Sequence, residues 1–378
     1  MKRADAVSKI NDFAVRSVPF LFITDFEGQN TAVLTMPEAE KNGIRFWMQD
    51  AGCGMQDAGC GMQDAGCGMR DAGCGMQDAG CGMQDAGCGM QDAGCGMQDA
   101  GCGMQDAGCG MNGDHIGPFR FETRPVERET YRRAFEKVSW HLKRGDTYLI
   151  NLTFATGLQT ELSLDDIFLR SQAPYKLLFA DHFVVFSPEP FISIRNGIIR
   201  SNPMKGTIDA SIPDAEAKLL SDPKEFFEHN TIVDLIRNDL SMISSSVKVE
   251  RFRYIEKIST NRKDLLQMSS EICGIMPAGY LCHLGEDIFT LLPAGSVSGA
   301  PKEKTVQIIK EAEADGRGFY TGVFGYFDGR DLTSAVMIRF IEKADGMLKF
   351  RSGGGITALS DCESEYNELI DKVYVPLV

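Results

Sequence analysis

Short apolar runs separated by turn residues dominate the pattern of hydrophobic and polar positions along the chain. Runs of this kind predict β-strands more often than helices. The predicted strands cover residues 18–24, 32–35, 44–47, 148–155, 183–187, 191–195, 198–200, 322–327, 335–342 and 348–352. The dipeptide Asn196-Gly197 predicts a hairpin turn between two of them. Strands in antiparallel pairs with interspersed helices favour an α+β fold over a doubly wound sheet.

Three segments have helical signals. Over 129–143, apolar residues recur every three or four positions, which predicts an amphipathic helix. A second helix is predicted to begin after Asp222, an N-cap residue followed by proline at the first helical position. A third is predicted to begin at Ser360, with Glu363 in the capping position.

A tandem heptapeptide, MQDAGCG, occurs nine times between Met48 and Gly110 with a single substitution at Arg70. Its seven-residue period suggests a coiled coil, but two glycines in each unit argue against a helix. A cysteine in every unit leaves soft-metal binding open as an alternative, although no histidine or CxxC spacing accompanies it. The sequence therefore predicts a low-complexity insertion over 48–111, most simply a flexible loop. It separates N-terminal strands in 1–47 from a catalytic region in 112–378.

The bulk composition excludes some classes of partner. The formal net charge is -14, but nine Asp and one Arg of the repeat account for most of it, and no basic patch is available to bind nucleic acid. The N-terminus lacks an apolar signal segment and no apolar run is long enough to span a membrane, so a cytoplasmic protein is expected. Three cysteines lie outside the repeat, too few and too scattered for a disulfide framework.

Two of the predicted helices each carry a pair of glutamates spaced three residues apart. Glu225 and Glu228 share a stripe with apolar residues on one helix, and Glu365 and Glu368 do so on the other. A single pair of this kind is usually solvated surface. If both stripes face one cleft, the convergent carboxylates must bind a hard cation or protonate, and Mg²⁺ is the natural occupant.

Two glycine-rich segments, GSVSGAPK (295–302) and SGGGI (352–356), would let backbone amides approach an anionic ligand. Tight turns explain the same composition equally well. A third segment, PMKGT (203–207), places Lys205 in a turn just after a strand. Taken alone, such a lysine is most simply an exposed one.

Together these segments resemble the chorismate-utilising enzymes, a family that includes the anthranilate, aminodeoxychorismate, isochorismate and salicylate synthases. The resemblance runs in the family's order from about residue 115 to the end of the chain. It is carried by SPEPF (187–191), PMKGT (203–207), KEFFEHNTIVDLIRND (224–239), GSVSGAPK (295–302), RGFYTGVFGYF (317–327), VMIRF (336–340), GGGI (353–356) and SEYNELIDK (364–372). It implies a four-layer α/β/β/α sandwich with two mostly antiparallel β-sheets.

The resemblance also implies roles for individual residues. Glu228 and Glu368 match the ligands of a Mg²⁺ ion, with Glu225 and Glu365 supporting them. Glu189 matches the general acid that protonates the departing 4-hydroxyl of chorismate. The positions that match substrate contacts are Gly206, Thr207, Tyr320, Arg339, Gly355 and Lys372.

Lys205 is the residue that discriminates between branches of the family. Aminodeoxychorismate synthases resemble this chain in having lysine there, whereas the other branches typically have alanine. The resemblance implies that the lysine amine attacks C2 of chorismate with loss of the 4-hydroxyl, and that ammonia from a separate glutamine amidotransferase subunit then adds at C4 and expels the lysine. The product would be 4-amino-4-deoxychorismate, a precursor of 4-aminobenzoate and folate. This route requires an unprotonated Lys205 and a protonated Glu189.

The chain departs from the family pattern at two positions. Leu149 stands where many amino-transferring relatives have glutamine, and Gln267 stands where they often have histidine. The second departure agrees with a product that retains its enolpyruvyl group. Two alternatives stay open: anthranilate synthase component I, and a repeat-bearing metal-binding or assembly protein built on an inactive scaffold.

Overall fold

The computed structural model describes residues 1–49, 53–54, 121–259 and 264–376. Nearly all of the heptapeptide repeat lies outside these residues, so its interpretation as a loop or a metal site stays a prediction. Within the described ranges the chain forms two β-sheets and ten α-helices. Strands and helices are numbered separately along the chain.

Nine described strands form the first sheet, and every neighbouring pair in it is antiparallel. These strands are β1 (Phe20–Thr24), β2 (Thr31–Leu34), β9 (Pro190–Arg195), β10 (Ile198–Ser201), β11 (Met204–Asp209), β12 (Ser245–Ser259), β13 (Asp264–Ile275), β15 (Val323–Phe327) and β16 (Leu332–Val336). Their order across the sheet is β11-β13-β10-β9-β16-β15-β1-β2, with β12 also paired to β13.

Nine further described strands form the second sheet, which is also antiparallel throughout. They are β3 (Ile44–Met48), β4 (Cys53–Gly54), β5 (Phe121–Arg124), β6 (Leu149–Thr160), β7 (Tyr175–Phe179), β8 (Phe183–Ser187), β14 (Gly299–Ala300), β17 (Phe340–Ala344) and β18 (Met347–Ile356). Their order across the sheet is β14-β6-β18-β17-β8-β7-β3-β4, with β5 paired to β6.

The helices pack against the two sheets, and no helix among the described residues is long and apolar enough to cross a membrane. They are α1 (Arg3–Val15), α2 (Met36–Lys41), α3 (Arg128–Arg144), α4 (Leu164–Arg170), α5 (Ala215–Ser221), α6 (Pro223–Ser241), α7 (Leu284–Thr290), α8 (Gly295–Ser298), α9 (Lys302–Ala312) and α10 (Cys362–Asp371). A 3₁₀ turn, Tyr280–His283, precedes α7.

Strand β1 shows how the layers are held together. All five of its residues are buried, because alternate side chains enter different cores. Phe20 and Phe22 pack with α1, α6 and α7, whereas Leu21 and Ile23 pack against the second sheet. Helices α3, α9 and α10 share a further core with the opposite face of the second sheet. The predicted α+β sandwich of two antiparallel sheets between helical layers is confirmed.

Several local predictions are confirmed. The helix predicted over 129–143 is α3, and the Asn196-Gly197 turn joins β9 to β10 with both residues at positive φ. Helix α6 begins after Asp222, whose carboxylate accepts hydrogen bonds from the backbone N–H groups of Lys224 and Glu225.

Two other predictions are wrong. Helix α10 begins at Cys362, two residues after the predicted start at Ser360, because the N-cap is Asp361, whose carboxylate accepts a hydrogen bond from the Ser364 N–H. The single strand predicted over 335–342 is divided between β16 of the first sheet and β17 of the second. Residues 337–339 make the crossing, and Arg339 turns the chain with a φ of 52°.

Candidate active site

A single cleft of about 1430 Å³ gathers the predicted site residues of the described chain. It lies where β11 and β18 meet the N-terminal half of α6 and the end of α10. All of the predicted site residues line it except Glu365, which lies behind the wall in contact with Lys224. The structure therefore brings together residues that are far apart in sequence. The glutamate pairs of the two helices converge on one cleft, which is the arrangement that the sequence analysis considered.

Lys205 reaches the cleft from a β-bulge in β11. The register against β13 shifts between Lys205 and Thr207, so Gly206 is the extra residue and adopts a φ of +68°. A Cβ atom on Gly206 would lie 2.8 Å from Leu219 Cδ1 and 2.9 Å from Glu225 Oε2. Only glycine therefore fits this turn, which aims Lys205 at the acidic helix.

Helix α6 presents Glu225 and Glu228 to the cleft. Glu228 is only 5% exposed, and its Oε2 lies 3.7 Å from Lys205 Nζ. Burial raises the pKa of the Glu228 carboxyl, although Lys205 and Lys224 oppose the rise. Burial also raises the pKa of Glu225, and the charge of Glu228 adds to this effect. Both carboxyls on α6 thus resist ionisation in the absence of a further cation.

Helix α10 presents Glu368 and buries Glu365, which is 3% exposed. Glu368 Oε1 lies 2.7 Å from Lys372 Nζ, one turn later on the same face. Burial tends to raise the pKa of Glu368, but the charge and hydrogen bond of Lys372 outweigh it and lower the pKa overall. Glu368 therefore stays ionised more readily than the carboxyls on α6.

Lys224 is a site residue that sequence reasoning missed. Its Nζ donates to Glu365 Oε1 at 2.8 Å and lies 3.9 Å from both Glu228 Oε1 and Glu368 Oε2. Burial disfavours its charge, but the hydrogen bond and charge of Glu365 prevail and raise the Lys224 pKa overall. Its position four residues before Glu228 was the signal that was available in the sequence.

The donor set suits a hard divalent cation. Glu228 Oε1 and Glu365 Oε2 are buried and accept no hydrogen bond, so both retain capacity for a ligand. Carboxylate oxygens are the protein ligands that Mg²⁺ prefers. Among the described residues, no group of three or more acidic, histidine or cysteine side chains is already arranged as a metal cage. The ammonium of Lys224 lies among these carboxylates instead.

Glu189 faces the acidic helices from the connection between β8 and β9. Its backbone N–H donates to Ser187 Oγ at 3.1 Å, and its carbonyl accepts from Val336 N–H at 3.1 Å. Burial raises the pKa of its carboxyl, opposed by a hydrogen bond with the Ser296 side chain and by the charges of nearby lysines. A carboxyl in this environment retains a proton at higher pH than usual, as a general acid must.

Ser296 is a second site residue that the sequence analysis did not name, although it identified the segment 295–302 that contains it. The predicted interpretation of 295–302 was a backbone contact to an anion or a tight turn. The structure instead forms the short helix α8 there and brings the Ser296 side chain to Glu189. The hydroxyl is therefore placed to orient the carboxyl.

The opposite wall carries cations and a phenol. Arg339 Nη1 donates to the Lys372 carbonyl at 2.8 Å, and its guanidinium lies 4.8 Å from the centre of the Tyr374 ring. Lys372 Nζ also donates to the Gly353 carbonyl at 3.0 Å. Burial raises the pKa of the Tyr320 hydroxyl, so it stays a hydrogen-bond donor. This wall suits an anionic substrate group.

Adjacent glycines of β18 face different acidic helices. A Cβ atom on Gly355 would lie 3.1 Å from Glu228 Oε2 and 3.5 Å from Lys205 Nζ. On Gly354 it would lie at ordinary contact distances from Glu365, Lys372 and Glu368, the nearest at 3.6 Å. Gly355 is the position where a side chain would intrude between Lys205 and its carboxylate.

The two departures from the family pattern also lie here. Leu149 is buried, and its side chain approaches Gly355. Gln267 pairs with Thr207 across the strands and lines the cleft, where its Oε1 is buried without a hydrogen-bond partner. An unsatisfied amide group in this position is available to a bound ligand.

The antiparallel sandwich and its acidic cleft are the architecture of a chorismate-utilising enzyme. The sequence model of the chorismate binding enzyme family matches residues 117–378. The chain therefore belongs to that family.

Known relatives agree with this assignment. An uncharacterized PabA-like protein of Pasteurella multocida is 54% identical over 260 residues, which cover 69% of this chain and 80% of that protein. Aminodeoxychorismate synthase component 1 of Klebsiella aerogenes is 32% identical, with coverage of 66% of this chain and 57% of that protein. The crystal structure of anthranilate synthase component I from Streptococcus pneumoniae superposes with a TM-score of 0.57 at 27% identity, and the match covers 68% of this chain and 59% of that one. The chain thus spans less than two thirds of the latter two proteins.

Proposed function

We propose that this chain is the chorismate-aminating component of an aminodeoxychorismate synthase, which converts chorismate and ammonia to 4-amino-4-deoxychorismate with Mg²⁺ as cofactor. The observation that carries the proposal is Lys205, an amine inside the cleft 3.7 Å from the Glu228 carboxylate. A relative named aminodeoxychorismate synthase component 1 supports this branch of the family.

The residues of the cleft divide the chemistry between them. The Lys205 amine forms a bond to C2 of chorismate while the two conjugated ring double bonds shift toward C4 and the C4–O bond breaks. Glu189 donates its proton to the departing oxygen, which leaves as water. Ammonia then bonds to C4, the C2–N bond to Lys205 breaks, and the excess proton is returned to Glu189. Covalent capture divides one difficult displacement into two easier ones.

The walls of the cleft hold the substrate during these steps. Arg339, Tyr320 and Lys372 are placed to bind a substrate carboxylate, and Thr207 and Gly206 flank the nucleophile. Glu228 and Glu368, supported by Glu225 and Glu365, would hold the Mg²⁺ ion. When bound, the ion supplies positive charge to a second carboxylate of the substrate.

Ammonia requires a donor. The name component 1 in the relative implies a partner in the pathway, and we infer a separate glutamine amidotransferase subunit that releases ammonia to this chain. A lyase would then remove pyruvate from the product to yield 4-aminobenzoate.

Incubating the purified chain with chorismate, Mg²⁺ and ammonium, and then adding such a lyase, tests the reaction directly. We expect 4-aminobenzoate after lyase treatment and an aminated product that retains its enolpyruvyl group before it. Formation of anthranilate without the lyase would instead favour anthranilate synthase component I.

The Lys205→Ala variant tests the covalent route. We expect kcat to fall by about a hundredfold or more, while KM changes by less than about threefold, because the missing bond exists only along the reaction path. Lys343→Ala removes a surface lysine paired with Asp181 and serves as the control. Parental turnover in Lys205→Ala, with no lysine adduct trapped in the parent, would show direct attack by ammonia.

A further inference from the structure

The ammonium of Lys224 lies where α6 and α10 converge, although nothing in the proposed chemistry uses it. It is within 4 Å of carboxylates from three glutamates on the two helices: Glu228, Glu365 and Glu368. Two of these glutamates are almost fully buried. The Lys224 ammonium is therefore surrounded by carboxylates in the way that a bound metal ion is. It carries one positive charge, whereas a divalent metal ion carries two.

Lys224 satisfies these carboxylates only in part. It makes a hydrogen bond to Glu365 alone, and the contacts to Glu228 and Glu368 are longer, at 3.9 Å. Glu228 Oε1 and Glu365 Oε2 are left buried without a hydrogen-bond partner. A divalent cation with its bound waters contacts several such oxygens at once.

The lysine also has an alternative position. It is the second residue of α6, its side chain is 35% exposed, and a four-carbon stem allows the ammonium to turn toward solvent while the stem stays packed. The carboxylates of Glu228 and Glu365, by contrast, are held at buried positions of their helices. Moving the Lys224 ammonium out of the cluster therefore requires a smaller rearrangement than moving the buried carboxylates.

We propose that Lys224 is an internal counter-ion, which neutralises the acidic helices before metal binds and is displaced when Mg²⁺ takes Glu228, Glu365 and Glu368. This inference rests on the Mg²⁺ site of the proposed function. It has two consequences: Lys224 weakens metal binding, and it stabilises the metal-free protein.

Titration with Mn²⁺, followed by its electron paramagnetic resonance signal in the absence of chorismate, measures the competition. Lys224→Met retains the apolar stem and removes the charge, and we expect it to bind Mn²⁺ about tenfold more tightly than the parent. Lys224→Arg retains the charge and should bind within about threefold of the parent. Lys343→Met, which removes the surface pair with Asp181, is the matched control.

Thermal unfolding gives an independent measurement. In EDTA, Lys224→Met should unfold at a lower temperature than the parent, because its buried carboxylates have lost their counter-ion, and saturating Mg²⁺ should raise its midpoint by more than it raises the parent's. If Lys224→Met does not fold, Lys224→Gln takes its place in both measurements. Mn²⁺ binding to the uncharged variant that is no tighter than binding to the parent overturns the proposal.

Failure of the metal site itself would look different. In that case Glu228→Gln and Glu365→Gln would bind Mn²⁺ as the parent does, and the Mg²⁺ assignment would be overturned together with the role of Lys224. Loss of binding in these two variants, with no gain in Lys224→Met, would overturn the role of Lys224 alone.

Discussion

The two acidic helices of the cleft carry glutamates at the same spacing but hold them in different environments. On α6, burial raises the pKa of both Glu225 and Glu228. On α10, Glu368 is half exposed, and Lys372 on the next turn lowers its pKa. The spacing of the glutamates decides where the carboxylates point, whereas packing and neighbouring lysines decide how readily each one ionises.

The adjacent glycines of β18 offer the strongest way to separate the two helices. Gly355→Ala would place a methyl group 3.1 Å from Glu228 Oε2 and 3.5 Å from Lys205 Nζ, so the buried Glu228 carboxylate would have to shift. We expect kcat to fall by about a hundredfold, since small displacements of reacting groups are costly. Gly354→Ala faces α10 at ordinary contact distances and should retain activity within about threefold.

Steady-state kinetics on both variants, with unfolding midpoints as a folding control, measures this difference. Equal losses in the two variants would show that the two helices contribute alike, and that Gly355 has no special relation to Lys205.

The pH dependence of the unfolding midpoint in EDTA distinguishes the glutamates of α6 from Glu368 on α10. A raised folded pKa, as in Glu225 and Glu228, contributes stability that is fully present below the unfolded pKa of about 4.3 and is lost as pH rises through the folded value. Once the pH exceeds the folded pKa that contribution is absent, so Glu225→Gln, which resembles the protonated form, should raise the unfolding midpoint above that pH by about 2 °C or more.

The pKa shift of Glu368 changes stability with pH in the opposite direction. Because its folded pKa is lowered, its contribution is present above the unfolded pKa and is lost as pH falls through the folded value. Glu368→Gln should therefore lower the midpoint at pH 7, and the difference from the parent should shrink toward pH 3. Glu363→Gln alters an exposed carboxylate on α10 and is the control. Shifts of the same sign in Glu225→Gln and Glu368→Gln would contradict the comparison.

The smallest effect is expected from the repeat. The cleft residues of the described chain are Gln49 and residues from Asn151 onward. Deleting residues 55–110 should therefore leave kcat and KM within about twofold of the parent. Complete loss of turnover in a deletion variant with an unchanged unfolding midpoint would give the repeat a direct role.

Sequence reasoning was most successful where one local signal decides the structure. Asp222 followed by proline fixed the start of α6, and the spacing of its glutamates predicted a shared face. It failed where the tertiary arrangement decides. The long strand β12 alternates charged and apolar residues without a clear run, and the buried face of α1, Ala6, Ile10 and Ala14, contains one large apolar side chain, so neither element was predicted.

The candidate site shows the same division. Motifs that carry carboxylates and glycines were sufficient to name most of the cleft, because the resemblance covered them in order. Lys224 and Ser296 lie inside the same motifs, but their partners, Glu365 and Glu189, are on other elements. Contacts across more than a hundred residues of chain become visible only when the sheets are assembled.

The crossing from β16 to β17 sets a mechanical limit on the cleft. Residues 337–339 tie the first sheet to the second with a span of about 10 Å even when extended. Arg339, at the end of this connection, donates a hydrogen bond to the carbonyl of Lys372, the C-cap residue of α10. At this point of the cleft, the two sheets can therefore separate by no more than the length of that connection. Tyr374, whose ring packs against the Arg339 guanidinium, lines the cleft beside it.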